Sequence, residues 1–375
     1  AFYPPAGTQY GCAAGPGRAG LNRAAQRHNP PMQDFASAAM VRLLVRAMAA
    51  HGLVPPPPPP GADGLAASHV PLAYKRSVVE AVLQQGGLGT LVQLAQRVDL
   101  LAGDPVHRAL LGAGSLPELL TRWQRLERYV HSRHQVSVTA SAPGTLALRH
   151  HARPGAQEEP HPTESLAVLG VLVGASQALG VRGLRVEIGA PQAAGHRENL
   201  RMEAPVATPA ELHAQLTPLA ARRLLGHWTL HWEHHDSKAR TTPTLQPQPA
   251  THLCDALPWP PLAHQLARHV LQDPAAQHTV DALARHTGLA RRSLQRVLTE
   301  HGLSCRHIVT ETRARVAAQW LLESPHGLAE IGFACGFSDQ PHFTREFARH
   351  VGLTPARYRQ AFAGEGMPGP QQLSI

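Results

Sequence analysis

Two short stretches concentrate side chains able to read the edge of a nucleic-acid base. In LARRSLQRVL, Arg291, Arg292, Gln295 and Arg296 fall on one face of a 3.6-residue repeat, and Leu294, Val297 and Leu298 fall on the other. In SDQPHFTREFARH, Gln340, His342, Thr344 and Arg345 oppose Phe343 and Phe347 in the same way. Arginine can bond bidentately to guanine, and glutamine to adenine, in a major groove. These eight residues are therefore candidate DNA-binding positions. Histidine offers a competing chemistry. His227, His231 and His235 stand at i, i+4 and i+8 and would line one face of a helix, as metal ligands can. On a strand, Trp228, Leu230 and Trp232 would instead share a face opposite them. His234 and the pair His150/His151 add further candidates. No HExxH pattern accompanies them. Ordinary surface or partly buried histidines are the simpler reading, so no metal and no cofactor is assigned.

Catalytic signatures are lacking. There is no GxSxG elbow or P-loop, and the glycines at 15–20 (GPGRAG) follow no strand pattern that would make them a dinucleotide fingerprint, so no catalytic residue is assigned and the chain is not expected to be an enzyme. Cys12, Cys254, Cys305 and Cys335 are scattered without a CxxC pair, as befits reduced and mostly buried thiols. The net charge of +9 invites nucleic acid as partner. Yet all but two of the 35 basic residues are arginine, and Arg, Ala, Gly and Pro run high together, as GC-rich codons give. Placement must therefore decide. Residues 275–362 carry 11 basic and 7 acidic groups, whereas residues 51–274 carry 19 and 17 and are close to neutral. The longest apolar run, Leu166–Ala175, is too short to span a bilayer. No signal-peptide layout opens the chain, and a soluble, cytoplasmic protein without membrane contact is expected.

The two donor-rich faces need elements to hold them. Thr279 can cap a helix with Val280, Leu283 and Ala284 inward, and Gly288 suits the left-handed turn that ends it. The donor-rich helix follows, completing a helix–turn–helix. The layout recurs with Leu328, Ile331 and Cys335 inward, Gly336 in the turn, and Ser338 or Asp339 as cap. Between the units, Cys305–Glu323 reads as a helical spacer with Val309, Val316 and Trp320 on one side. At 1.5 Å per residue it spans roughly 28 Å, close to one DNA turn of about 34 Å. TPARYRQAF closes the segment.

Upstream, the reading is a disordered leader (1–37), then a mixed α/β sensor and dimerisation domain (38–237). Within the latter, Met40, Leu43, Leu44 and Met48 mark a helix, and PPPPPP at 55–60 an exposed spacer. Helical pattern runs from Pro71 to about His134, with Leu119, Trp123, Leu126 and Val130 on one stripe. Val136, Val138, Leu146 and Leu148 alternate about a turn at 142–144, a hairpin signal. A buried helix over 165–180, a strand over 184–190 and a helix over 208–225 follow; HWTLHWEHH fits either a helix or a strand. A Pro-rich linker (238–260) leads to an all-α domain (261–362) and a flexible tail (363–375). The fold class is α+β: a mixed α/β N-terminal sensor joined to an all-α C-terminal domain with two helix–turn–helix units.

The segment LAEIGFACGFSDQPHFTREFARHVGLTPARYR, with LARRSLQRVL upstream, resembles the DNA-binding domain of the AraC/XylS family of bacterial transcription regulators. The resemblance covers about 85 residues. It implies a bi-lobed all-α domain that inserts two recognition helices into successive major grooves of promoter or operator DNA. Base contacts would then fall on Arg292, Gln295 and Arg296, and on Gln340, His342 and Arg345. Two departures stand out. Ala290 replaces a usual capping Ser, a loss of roughly 1 kcal/mol, and Pro341 enters the first turn of the second recognition helix. The N-terminal part loosely resembles the effector-binding region of the ornithine-utilisation-type subgroup, through LLVRAMAAHGL and RYVHSRHQVSVTASAPGTLALRH. That implies an unidentified small-molecule effector, with RNA polymerase and a second copy of the chain as further partners. Two alternatives compete with the regulator. One is a non-specific DNA-bridging protein. The other is a DNA-repair methyltransferase sharing the DNA-binding domain; it would need a Pro-Cys-His-Arg nucleophile, which this chain lacks, since Arg306 follows Cys305.

Overall fold

The computed structural model describes residues 35–58, 69–102, 104–129, 133–156, 158–189, 200–203, 208–236 and 252–362. The leader and tail expected at the two ends fall outside these residues, except that strand β1, Phe35–Ser37, pairs antiparallel with β2, His69–Pro71. Residues 238–251 of the expected linker also fall outside.

The N-terminal part opens with helices α1 (Ala38–Ala50), α2 (Leu72–Ala95), α3 (Pro105–Leu111) and α4 (Leu116–Tyr129). Leu119, Trp123 and Leu126 form the buried stripe of α4, while Val130 lies outside the described residues. The expected hairpin is β3 (His134–Ala142) and β4 (Thr145–Ala152), closed where Gly144 takes a φ of +69° that favours glycine. Helix α5 (Pro162–Ala178), strands β5 (Val181–Arg182), β6 (Arg185–Ile188) and β7 (Leu200–Glu203), and helix α6 (Pro209–Ala221) follow. The ambiguous histidine-rich segment is a strand, β8 (His227–His231), with Trp228 and Leu230 buried and its histidines half-buried on the other side. Its alternation lets it sit inside the sheet, in the order β3-β4-β8-β6-β7, every pair antiparallel. β9 (His234–His235) pairs with β5.

Helix α5 is apolar on every side and is buried accordingly. Its glycines decide how closely it packs. A Cβ at Gly174 would lie 2.1 Å from the carbonyl oxygen of Gln96, and one at Gly170 would lie 2.6 Å from the Ala95 Cβ. The end of α2 can reach α5 only because both positions lack a side chain.

From residue 261 onward the described chain is helical: α7 (Pro261–Gln272), α8 (Val280–Thr287), α9 (Arg291–Glu300), α10 (Cys305–Glu323), α11 (Leu328–Ala334), α12 (Gln340–Val351) and α13 (Pro355–Phe362). The spacer α10 has the expected span, with Val309, Val316 and Trp320 buried, and it divides its buried residues between two cores. Cys305, Ile308 and Val309 enter a small core with Leu266, Val270, Leu283, Leu294 and Leu298. Ala314, Val316, Ala317, Trp320 and Leu321 enter a second and larger core. That larger core runs without a break from α1–α5 and the sheet into Phe333, Phe337, Phe343 and Phe347 of the second helix–turn–helix. Residues 252–260, the end of the expected linker, are docked on α10. Cys254 is buried with its Sγ 3.6 Å from Thr312 Oγ1, and Arg315 donates to the Leu253 carbonyl at 3.3 Å. Among the described residues, no helix is long and apolar enough to cross a membrane.

Candidate nucleic-acid interface

The first unit is built from local rules. Thr279 Oγ1 accepts from the Ala282 amide at 3.1 Å and starts α8; Gly288, at φ +69°, ends it. Helix α9 then starts at Ala290 with no side-chain cap, as its sequence implies. Leu294 and Leu298 are fully buried, which forces the opposite face outward. Arg291, Arg292, Gln295 and Arg296 all stand exposed on that face. Arg291 reaches Asp281 at 3.5 Å, and Arg296 reaches Glu300 at 3.8 Å with 75% of its side chain exposed. Exposed pairs of this kind are worth little, so DNA can take either arginine from its partner.

The second unit is held more tightly. Gly336, at φ +85°, makes the turn, and a Cβ there would meet the Pro274 carbonyl at 2.2 Å. Asp339, one of the two expected caps, accepts from the His342 amide at 2.7 Å and starts α12, with Pro341 accommodated in the first turn. Phe343 and Phe347 are buried as expected. Arg345 is exposed, and Gln340 and Thr344 are half-exposed.

His342 behaves differently from the other expected readers. Its Nδ1 accepts from the Ser338 amide at 3.3 Å and lies 2.9 Å from Ser338 Oγ, while its ring meets Phe337 edge-on. Burial holds its pKa below the ordinary histidine range, with Glu346 and Asp339 opposing. It is thus a neutral imidazole tied into the start of its own helix, with only Nε2 left to donate.

The residues brought together behind α12 include some that base-readout logic does not single out. His350 Nδ1 lies 2.6 Å from Glu311 Oε2, and Arg315 Nε donates to Glu311 Oε1 at 2.8 Å. Burial opposes ionisation of Glu311, but His350 and Arg315 together hold its carboxyl below the usual range. Glu346 pairs with Arg349 and lies 3.9 Å from Arg306. This network fixes α12 on α10. The spacing His342, Glu346, His350 at i, i+4 and i+8 is its sequence signal. The histidines considered for metal do not converge. His227 and His231 lie along β8 and His235 on β9, and among the described residues no group of three His, Cys, Asp or Glu is placed to hold an ion.

Comparison with known proteins agrees with this geometry. A helix–turn–helix domain family matches residues 283–361. The HTH-type transcriptional regulator VirS of Mycobacterium tuberculosis is 34% identical over 99 residues, 26% of this chain and 28% of that protein. The HTH-type transcriptional regulator RipA of Corynebacterium glutamicum is 32% identical over 132 residues, 34% of this chain and 40% of that protein. The ornithine utilization regulator of Pseudomonas aeruginosa is 29% identical over 141 residues, 35% of this chain and 42% of that protein. The matched segments thus span well under half of each of these relatives. With two helix pairs joined by one helix and a matching family over residues 283–361, the C-terminal part of this chain belongs to the AraC-type helix–turn–helix domains of DNA-binding transcription regulators.

Proposed function

We propose that the protein is a sequence-specific regulator of the AraC/XylS type that answers to a small molecule held in its N-terminal part. The observation that carries the DNA half is the pair of outward faces on α9 and α12, the first backed by the small core it shares with α7, α8 and the start of α10, the second by the larger core. Arg291, Arg292, Gln295 and Arg296 read one groove, and Gln340, Thr344 and Arg345 read the next, with His342 supporting the second helix. The effector half rests on a cavity of about 1490 Å³ among α1–α5 and the sheet. Met40, Leu43, Leu110, Trp123 and Val168 give it an apolar interior, and Lys75, Arg149, His161 and Glu164 a polar rim. Such a site, mostly apolar with a few polar groups, suits a small organic ligand. The domain assignment follows the same division: sensor over 38–237, DNA-binding domain over 261–362. RNA polymerase and a second copy of the chain are the further partners.

The test is competition binding at about 0.15 M salt. A duplex selected by the full-length chain from a random pool should outcompete unrelated duplex by at least about 10³-fold. Equal affinity for all duplexes would instead make the protein a non-specific DNA-bridging protein. A thermal-shift screen of amino acids and related metabolites tests the effector half. A compound that raises the midpoint for the native chain, and fails to do so when Leu110→Trp fills the cavity, supports it.

A further inference from the structure

The helices that wall the cavity also hold the second helix–turn–helix, through side chains on their opposite faces. On α1, Met40 and Leu43 line the cavity, while Arg42 between them is buried on the other side. Arg42 donates to Asp104 Oδ2 at 2.6 Å and also pairs with Glu330 of α11. Both of these carboxylates are helix starts. Asp104 Oδ1 accepts from the Val106 amide of α3 at 2.8 Å, and Glu330 Oε2 accepts from the Gly327 amide ahead of α11 at 3.3 Å. One guanidinium therefore clasps the start of a cavity helix to the start of α11.

Helix α4 repeats the arrangement. Trp123 and Leu126 face the cavity, while Arg122 and Arg125 face away from it. Arg122 donates to Asp273 Oδ2 at 2.6 Å; Arg125 donates to the Ala275 carbonyl at 2.8 Å and the Phe333 carbonyl at 3.3 Å. Tyr129 meets the Phe333 ring edge-on at 6.1 Å. Motion of α11 must carry α12 with it, because a Cβ at Gly332 would lie only 2.7 Å from the Phe343 ring. Helix α9 itself makes none of these contacts, and its buried residues belong to the separate, smaller core; the link from α4 toward that core is Arg122–Asp273, at the end of α7.

We propose that α1 and α4 couple the cavity more tightly to the second reading head than to the first, with the Arg42–Glu330 pair as the contact that transmits occupancy to α11 and α12. The inference deepens the effector reading and rests on it. Buried, paired charges suit this role, because they have few alternative partners and so define discrete arrangements rather than a continuum of small shifts. An occupant spreading the cavity walls changes the angle at which Arg42 and Arg125 hold α11. The second head then turns relative to the first, whose core the occupant does not touch.

Hydrogen–deuterium exchange on the full-length chain tests this without DNA. Two occupants are compared: Val168→Trp, which fills the cavity from α5, and the amphiphilic anionic dye 1-anilinonaphthalene-8-sulfonate. Val168→Trp should change amide exchange in α11 and α12 at least threefold and in α9 by less. Adding Glu330→Gln should abolish the change, while Arg42 stays neutralised by Asp104 and the fold is checked by circular dichroism. Unchanged exchange in α11 and α12, equal change in α9, or a change that survives Glu330→Gln would each overturn the coupling. If the double variant fails to fold, Arg125→Lys in the Val168→Trp background supplies the second break and should likewise reduce the change in α11; full retention would overturn the proposal. The dye arm separates the two readings. A dye that does not bind, or binds Val168→Trp equally well, counts against the cavity as an effector site, and the Val168→Trp exchange data still decide the coupling.

Discussion

At the scale of single residues, environment assigns the roles. Arg296 and Arg345 are exposed arginines on buried-backed helices, and the exposed pair of Arg296 with Glu300 is weak enough for DNA to displace. His342 has nearly the same sequence credentials, but it is consumed by Ser338 and Phe337. Glu127 is a further case. It lies in the cavity wall, accepts from Trp123 Nε1 at 2.8 Å and from the Val136 amide at 3.0 Å, and burial pushes its pKa up to about 7. The folded carboxyl therefore binds its proton more tightly than the unfolded one. Its contribution to stability is full below about pH 4.5 and is lost as pH rises toward 7, by at most about 3 kcal/mol. Glu127→Gln keeps the acceptor and removes the titration. Its unfolding free energy should lose this fall between pH 4.5 and 7 relative to the native chain. Parallel pH curves for the two proteins would contradict the assignment. That the arginines of α9 and α12 face outward is legible in the 3.6 period, but the tie of His342 to Ser338 is not. It depends on Ser338 reaching across the cap, a contact that alternation of apolar residues does not encode.

At the scale of elements, caps and close approaches set the boundaries. Helix α9 lacks a capping side chain because Ala290 occupies that place. Ala290→Ser should stabilise the protein by about 1 kcal/mol, visible as a higher thermal midpoint. A lower midpoint would mean that the start of α9 is held by something other than its cap. Gly174→Ala should destabilise by more than about 1 kcal/mol, since its Cβ would press on the Gln96 carbonyl and drive α2 from α5. Chemical denaturation measures this, and an unchanged midpoint would contradict the packing. Much of this level was readable in advance. The hairpin at 134–152, the buried helix over 162–178 and the two helix–turn–helix units stand where periodicity and turn residues put them. The strand β8 was ambiguous, because HWTLHWEHH satisfies both periods. Pairing with β4 and β6 decides it, and pairing is a long-range choice. Helix α10 is buried beyond the side that Val309, Val316 and Trp320 mark, and sequence pattern does not show this because Thr310, Glu311 and Thr312 are polar yet buried by their partners.

At the scale of the whole molecule, the dividing line in the core does not follow the dividing line in the sequence. The proline-rich stretch near residue 250 suggests two bodies, each with its own interior. Instead the second helix–turn–helix shares the large core of the N-terminal part, and only the first keeps a core of its own. Long-range ion pairs such as Arg42–Glu330 and Arg122–Asp273 join residues far apart in the chain, so no local pattern announces them. The consequence is a second helix–turn–helix that shares a core with the N-terminal part, and a first one joined to that part through Arg122–Asp273 and through α10. That arrangement still has to read DNA as a unit. Hydroxyl-radical footprinting of the full-length chain on its selected duplex tests this most directly. Two protected segments should appear about 10 base pairs apart. Arg296→Ala should relax base preference in one segment and Arg345→Ala in the other, each weakening binding by about 1–3 kcal/mol. A single protected segment, or a loss of affinity equal across all sequences for both variants, would contradict the account.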